Sequence, residues 1–453
     1  MTVDQYVNEA RERLLEELFD FLRIPSVSTD PARNDDTRRA ADFVAAALER
    51  AGLEATVHST AKHPVVTAVG PRVPGAPTVL IYGHYDVQPA DPIDLWTGDP
   101  FEPTIDDGVI VARGASDDKG QVYCHVKGVE ALMAVDGALP VNLKFLIEGE
   151  EEIGSPHLPA FLEANREDLA ADVVVISDGA MVAQGTPTIT YGLKGLAYVS
   201  VRVSGAGRDL HSGAYGGGVP NVLNALAEMI ASLHDGQGRV TVPGFYDDVL
   251  DLDDDERAQI AKAPFSEAEF RRDAGVRATP GEAGYTLLER LWARPTLDVN
   301  GVSGGFQGAG SKTVIAAHGM AKLSSRLVPN QDPHDIAEKL EAHLRAVAPA
   351  GIEVSVHVEA LGHPAMTPLD SPPMRAAAEA LRMVWERDPV FARSGGSIPV
   401  VADFQRILGA DPVMVGLGLE NDRIHSPNEK FDVVNYLNGV RVSAELLRSL
   451  ARA

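Results

Sequence analysis

Cysteine is almost absent. Cys124 is the one thiol in 453 residues, so no disulfide can form within the chain, and a reducing compartment, the cytoplasm, is expected. Aromatic residues are sparse at 6% against 45% hydrophobic residues, the profile of an ordinary soluble globular protein. Basic residues are outnumbered 40 to 65 by acidic ones. The resulting net charge of −25 repels nucleic acid and anionic lipid, so neither is an expected partner. No apolar run approaches the roughly 18 residues needed to span a bilayer. The opening stretch MTVDQYVNEARERLLEELFDFL reads as a charged amphipathic helix and lacks the apolar centre of a signal peptide. Internal repeats and low-complexity segments are also missing.

What is present is more informative. The length exceeds what one hydrophobic core serves, so two or more domains are expected. Strand-like and helical segments alternate: Thr37–Ala51 reads as a helix, followed by strands near Ala55–Ser59, Pro64–Val69 and Thr78–Tyr82. Such alternation implies an α/β sheet whose sites gather at the carboxyl ends of strands. Polar residues stand at three such ends and at one helix start. Val141, Leu143, Phe145 and Ile147 lead into Glu150-Glu151-Glu152 and Gly154. Three glutamates are either a solvated face or, if turned inward, carboxylates that need a cation among them. His84 and Asp86 point to one side of an extended segment, which suits a metal ligand with its orienting carboxylate and equally suits a surface turn. Asp117 and Asp118 precede a helix, where acidic residues either complement the dipole or turn inward as ligands. The apolar strand Asp172–Ser177 delivers Asp178.

In chain order, GHYDVQP (83–89), RGASDDKG (113–120), EGEEEIGS (148–155) and ISDG (176–179) resemble the co-catalytic zinc metallopeptidase family. That family comprises carnosinases, cytosolic nonspecific dipeptidases, acylases and succinyl-diaminopimelate desuccinylases. The resemblance continues through RDLHSGAYGG (208–217), GAGSKTVI (308–315), RLVPN (326–330), GGSIPV (395–400) and IHSPNEK (424–430). These nine motifs cover essentially the whole chain, and their combination is most similar to the dipeptidase branch.

The resemblance implies a site residue by residue. His84 and Asp178 are expected on one metal, Glu152 and His425 on the other, and Asp117 between them. Nitrogen and oxygen donors together suit Zn2+, with Mn2+ or Co2+ as alternatives. Two dications would bring four positive charges against the three ligand carboxylates, close to balance. In the register set by Gly154, Glu151 is the general base that takes a proton from the water shared by the metals, and Glu150 is a solvated extra. Asp86 is expected to orient His84. The Asp117–Asp118 peptide is expected to be cis. His211 is the expected oxyanion donor, and Arg326 pairs with a substrate carboxylate. Thr313, Ser397 and His363 match further substrate contacts.

The fold implied is an α/β metallopeptidase domain with a mixed sheet flanked by helices, interrupted by an α+β lid or dimerisation domain. Residues 1–193 and 365–453 form the first, and 194–364 the second. Gly185–Gly195 reads as the linker into the insertion, whose strand alternates Ala197, Val199, Val201 and Val203 with polar residues. Asp247–Phe270 reads as an acidic helical stretch. Two motifs there are set aside. Gly301-Val302-Ser303-Gly304-Gly305 has the spacing of a nucleophile elbow but no helix after it. Gly305 to Lys312 has the spacing of a phosphate loop with its lysine one residue late. The expected activity is two-metal hydrolysis of dipeptides or short peptides, by a homodimer with His211 serving the partner subunit's site. The alternatives are hydrolysis of N-acyl amino acids by the same metals, or a non-catalytic metal- or peptide-binding homologue.

Overall fold

Thr78–His84 is a run of valine, leucine, isoleucine and tyrosine with no polar alternation, the pattern of a strand covered on both faces. The computed structural model, which describes residues 1–396 and 398–453, places it inside a mixed sheet. Ser397 lies outside the described residues. The strand pairs in parallel with Asn142–Glu148 on one side and Val173–Ile176 on the other. Val79 and Ile81 enter one core cluster while Leu80 and Tyr82 enter another on the opposite face. The first cluster is closed by the helices Arg11–Leu22, Asn34–Arg50, Lys119–Asp136, Pro372–Trp385 and Val433–Leu450. Leu158–Ala164 and Pro399–Asp403 cover the second.

Lys119–Asp136 lies close against Val433–Leu450. A Cβ at Gly128 would come within 2.5 Å of the Ser443 side chain, and one at Gly439 within 2.6 Å of the Cys124 sulfur. The lone cysteine is thus a buried packing group. In register, His84 stands opposite Glu148, and Asp178 follows the end of Val173–Ile176, so the polar clusters meet at one edge of the sheet.

One segment departs from expectation. Gly185–Gly195 is no linker: Thr188–Leu193 is a buried strand of the main sheet. It pairs antiparallel with Asp411–Gly416 and Ala365–Met366, and in parallel with Val390–Ser394. The threonines, Ile189 and Tyr191 carry it; its flanking glycines and proline mark turns rather than a flexible link.

The chain crosses to a second sheet at Lys194. Gly195–Ser204 lies centrally in an antiparallel sheet ordered Thr296–Gly304, His318–Leu327, Gly195–Ser204, Glu353–Gly362. Its alternating Ala197, Val199, Val201 and Val203 are buried under the helices Val222–Ala231 and Pro333–Val347. The chain returns through His363 and Pro364 to Ala365–Met366, so an α+β unit interrupts the α/β one. Asp247–Phe270 is two short helices, Asp254–Ile260 and Glu267–Asp273, each with its own N-terminal cap. Ser303 lies within the strand Thr296–Gly304, which excludes the elbow geometry. No helix among the described residues is long and apolar enough to cross a membrane.

Candidate metal centre

His84 ends its strand directly after Gly83, where a Cβ would meet Val122 at 2.5 Å and Asp118 Oδ2 at 2.7 Å. Glycine therefore lets the strand end approach the Asp117–Asp118 loop. The His84 Nδ1–H donates to the Asp86 backbone carbonyl at 3.0 Å, with the Asp86 carboxylate 3.4 Å away. This leaves Nε2 facing the centre. The Asp86 carboxylate also acts on the neighbouring loop. Its two oxygens accept the backbone N–H groups of Glu151 at 3.2 Å and Glu152 at 3.1 Å. It thereby fixes the turn Glu151–Ile153, which Gly154 closes at φ +84°.

Asp117 stands between two imidazoles. Its Oδ1 lies 3.1 Å from His84 Nε2 and its Oδ2 3.0 Å from His425 Nε2. Asp178 Oδ2 is 3.9 Å from His84 Nε2, and Glu152 Oε2 is 3.2 Å from His425 Nε2. Two triads result, His84–Asp117–Asp178 and Asp117–Glu152–His425, each with one donor atom per residue within 4.8 Å of the others. Glu152 is further held by the Gln88 backbone N–H at 3.1 Å and side-chain amide at 2.8 Å. The Asp117–Asp118 peptide is cis.

Proton affinities mark the charge surplus. Burial pushes Asp178 up to about 7, with Asp117 adding repulsion. Burial likewise drives Glu151 well above the usual carboxylate range despite the nearby His84. Burial opposes charge on His84, yet its hydrogen bonds with Asp117 and Asp86 carry it well above the usual histidine value. Hydrogen bonds to Asp117 and Glu152 lift His425 to about 10. Burial works against the Asp117 carboxylate, but the two imidazoles hold it far below its ordinary value. Such a pocket gathers positive charge, and its imidazole and carboxylate donors are those of a two-cation site.

Several residues outside the expected set build this centre. Glu429 is fully buried. Its Oε1 accepts the backbone N–H groups of Ser116 and Asp117, both at 3.0 Å. Its Oε2 accepts Arg113 at 2.7 Å and the Gly114 N–H at 3.0 Å. The Asp422 carboxylate accepts the Ser116 hydroxyl at 2.9 Å and the Lys430 amine at 2.8 Å. The signal for both was a carboxylate flanking a histidine motif, which sequence alone does not distinguish from a surface acid.

Glu150 corrects an expectation. It is not solvated but 3% exposed. It accepts the His63 backbone N–H at 2.7 Å and the His157 ring nitrogen at 2.6 Å. The Thr60–Pro64 loop folds over it, a long-range contact that its neighbours in sequence do not announce.

The expected substrate contacts lie in the inserted unit. His211 is exposed at the pairing of Leu210–His211 with Val314–Ile315, and its Nδ1 accepts the Gly213 N–H at 2.9 Å. Thr313, also exposed, accepts the Ser212 N–H through its carbonyl at 3.0 Å. The exposed His363 has its ring 6.4 Å from that of His334. Among the described residues, none of these three makes a hydrogen bond or ion pair with the two triads. Arg326 stands opposite Leu196 and Thr296 and lines a cavity of about 540 Å³. Gly395 lines this cavity and also a smaller one, about 210 Å³, that reaches Asp178.

Comparison with known proteins accords with this geometry. The chain is 33% identical to the Beta-Ala-His dipeptidase of Homo sapiens, across 99% of this chain and 92% of that one. It is 33% identical to the Cys-Gly metallodipeptidase DUG1 of Candida albicans, across 99% and 96%. Among solved structures, the M20 family metallo-carboxypeptidase Sso-CP2 from Sulfolobus solfataricus superposes with a TM-score of 0.85 at 35% identity, covering 97% of this chain and 99% of that one. The profile of the peptidase family M20/M25/M40 matches residues 80–449, from the strand that presents His84 to the helix beyond His425, and the chain belongs to that family.

Proposed function

We propose that the protein is a dipeptidase that works with two divalent cations, His84, Asp117 and Asp178 holding one and Asp117, Glu152 and His425 the other. The observation that carries this reading is the Asp117 carboxylate, which turns one oxygen to each of two histidines whose remaining neighbours are carboxylates. Bound cations would supply Lewis acidity toward a water and the scissile carbonyl. Glu151 would take a proton from that water and pass it to the leaving amine, and its raised proton affinity suits both transfers. The Asp86 carboxylate holds the Glu151 and Glu152 N–H groups so that the two neighbouring glutamates keep separate roles. Zn2+ is the proposed cation, with Mn2+ or Co2+ as alternatives.

Residues 1–193 and 365–453 would form the catalytic domain, and 194–364 a lid and dimerisation domain. From that lid His211 donates to the oxyanion, and Arg326, with Thr313, Ser397 and His363, holds the substrate carboxylate. We take the protein to act as a homodimer in the cytoplasm.

The names of the relatives, dipeptidases and a carboxypeptidase, favour peptide hydrolysis over deacylation of N-acyl amino acids. The test is turnover of a panel of dipeptides, tripeptides and N-acyl amino acids after metal stripping and reconstitution with Zn2+ or Mn2+. Dipeptides are expected to be the best substrates of the panel. A preference for N-acyl amino acids overturns the assignment.

A further inference from the structure

Lys194 is the residue at which the chain crosses from one sheet to the other, between Leu193 and Gly195. It is only 4% exposed, yet no carboxylate among the described residues pairs with it. Its one side-chain hydrogen bond among the described residues goes to the Arg290 carbonyl at 3.1 Å. Three donors sit on an ammonium group, so two remain. Burying a cation without an opposite charge is costly, and here the neighbours make it worse. Burial and Arg326, opposed by Asp298 and reinforced by Arg393 and Arg294, bring the lysine down to about 8.

Arg294 is bound by both oxygens of Glu282 at 2.8 Å, and Arg393 pairs with Glu256. Among the described residues no carboxylate forms an ion pair with Lys194, although Asp298 lines the same cavity. That cavity is the 540 Å³ one shared with Arg326, and its walls include Val240, Leu287, Leu291 and Leu297. A cationic end with aliphatic walls fits an apolar residue that ends in a free carboxylate.

We infer that this cavity is the subsite for the C-terminal residue of the substrate, with Lys194 the second cation, beside Arg326, that seats the terminal carboxylate and the leucine walls taking a bulky apolar side chain. The inference rests on the dipeptidase reading and narrows it to dipeptides such as Ala-Leu, in preference to Ala-Gly.

The test compares the metal-loaded protein and its Lys194→Met variant on Ala-Leu, Ala-Gly and the carboxylate-free Ala-leucinamide. The wild type is expected to favour Ala-Leu over Ala-Gly at least about tenfold in kcat/KM, the effect of burying one leucine side chain. Lys194→Met should raise KM for Ala-Leu at least about tenfold, as for a lost charge-assisted hydrogen bond, and leave Ala-leucinamide within about twofold. Product inhibition gives a readout that needs no variant: free leucine should compete and leucinamide should not. Equal losses on acid and amide, indifference to the C-terminal side chain, or equal inhibition by leucine and leucinamide overturns the inference while leaving the dipeptidase reading intact. No turnover of any of the three by the wild type overturns the dipeptidase reading itself, and the inference with it.

Discussion

The backbone N–H of Asp117 donates to Oε1 of Glu429 at 3.0 Å, across 312 residues of sequence. The carboxylate that stands between His84 and His425 is thus aimed by a second carboxylate from the far end of the chain, which accepts four hydrogen bonds. An amide cannot replace it, because in either orientation its NH2 would face two donors.

Glu429→Gln is accordingly expected to weaken cation binding by about 10–100-fold, the usual effect of losing a group that orients a ligand. Competition with a chromogenic chelator measures this without turnover. Affinity equal to wild type would show that the loop holding Asp117 is set by other contacts.

Glu151 and Glu152 are adjacent but should fail differently. Glu151→Gln is expected to keep both cations and lose several orders of magnitude in single-turnover rate, since only the proton acceptor is removed. Glu152→Gln should lose metal first, because Glu152 faces His425 at 3.2 Å. Elemental analysis beside rates separates the two. A metal-free or nearly fully active Glu151→Gln protein means the two roles are misassigned.

Much of this centre was legible in the sequence because its groups stand at strand ends and beside glycines: His84 after Gly83, Glu151 and Glu152 before Gly154, Asp178 after four apolar residues. These are local signals. Glu429 and Glu150 were not legible, since their function lies in contacts with Ser116 and His63, far off in sequence. Thr188–Leu193 was misread for a related reason. Its membership of the main sheet depends on Asp411–Gly416 and Val390–Ser394, which arrive some two hundred residues later. The inserted unit, by contrast, announced itself through the alternation of Ala197 to Val203, a pattern that needs no distant partner to be read.

His125 offers a test of acid stability away from the cations. It is buried between the hydroxyls of Ser177 at 2.9 Å and Ser443 at 3.1 Å, and burial lowers it to about 4. The folded protein keeps it neutral down to that pH, whereas the unfolded chain takes up the proton near 6.5. Its contribution is therefore complete above about pH 6.5 and falls as pH drops toward 4, by about 3 kcal/mol at most. Denaturant melts of wild type and His125→Gln across pH 4–7 should show a shallower pH dependence in the variant. Parallel curves would mean that His125 is not the titrating group.

His211 is exposed on a glycine-rich turn, and the proposed homodimer would bring it to the oxyanion of the partner subunit's centre. Mixing inactive His211→Ala with inactive Glu151→Gln under subunit exchange is expected to restore up to about a quarter of wild-type activity, for random pairing with one intact composite site per heterodimer. Verified exchange without recovery, or an active monomer, shows that His211 does not act in this way.

The central claim is that Asp117 bridges two cations. It is tested most directly by a zinc-edge anomalous difference map from crystals of the zinc-loaded protein. Two peaks are expected to flank the Asp117 carboxylate, one beside His84 and Asp178 and the other beside Glu152 and His425. A single peak, or zinc bound away from Asp117, would contradict it.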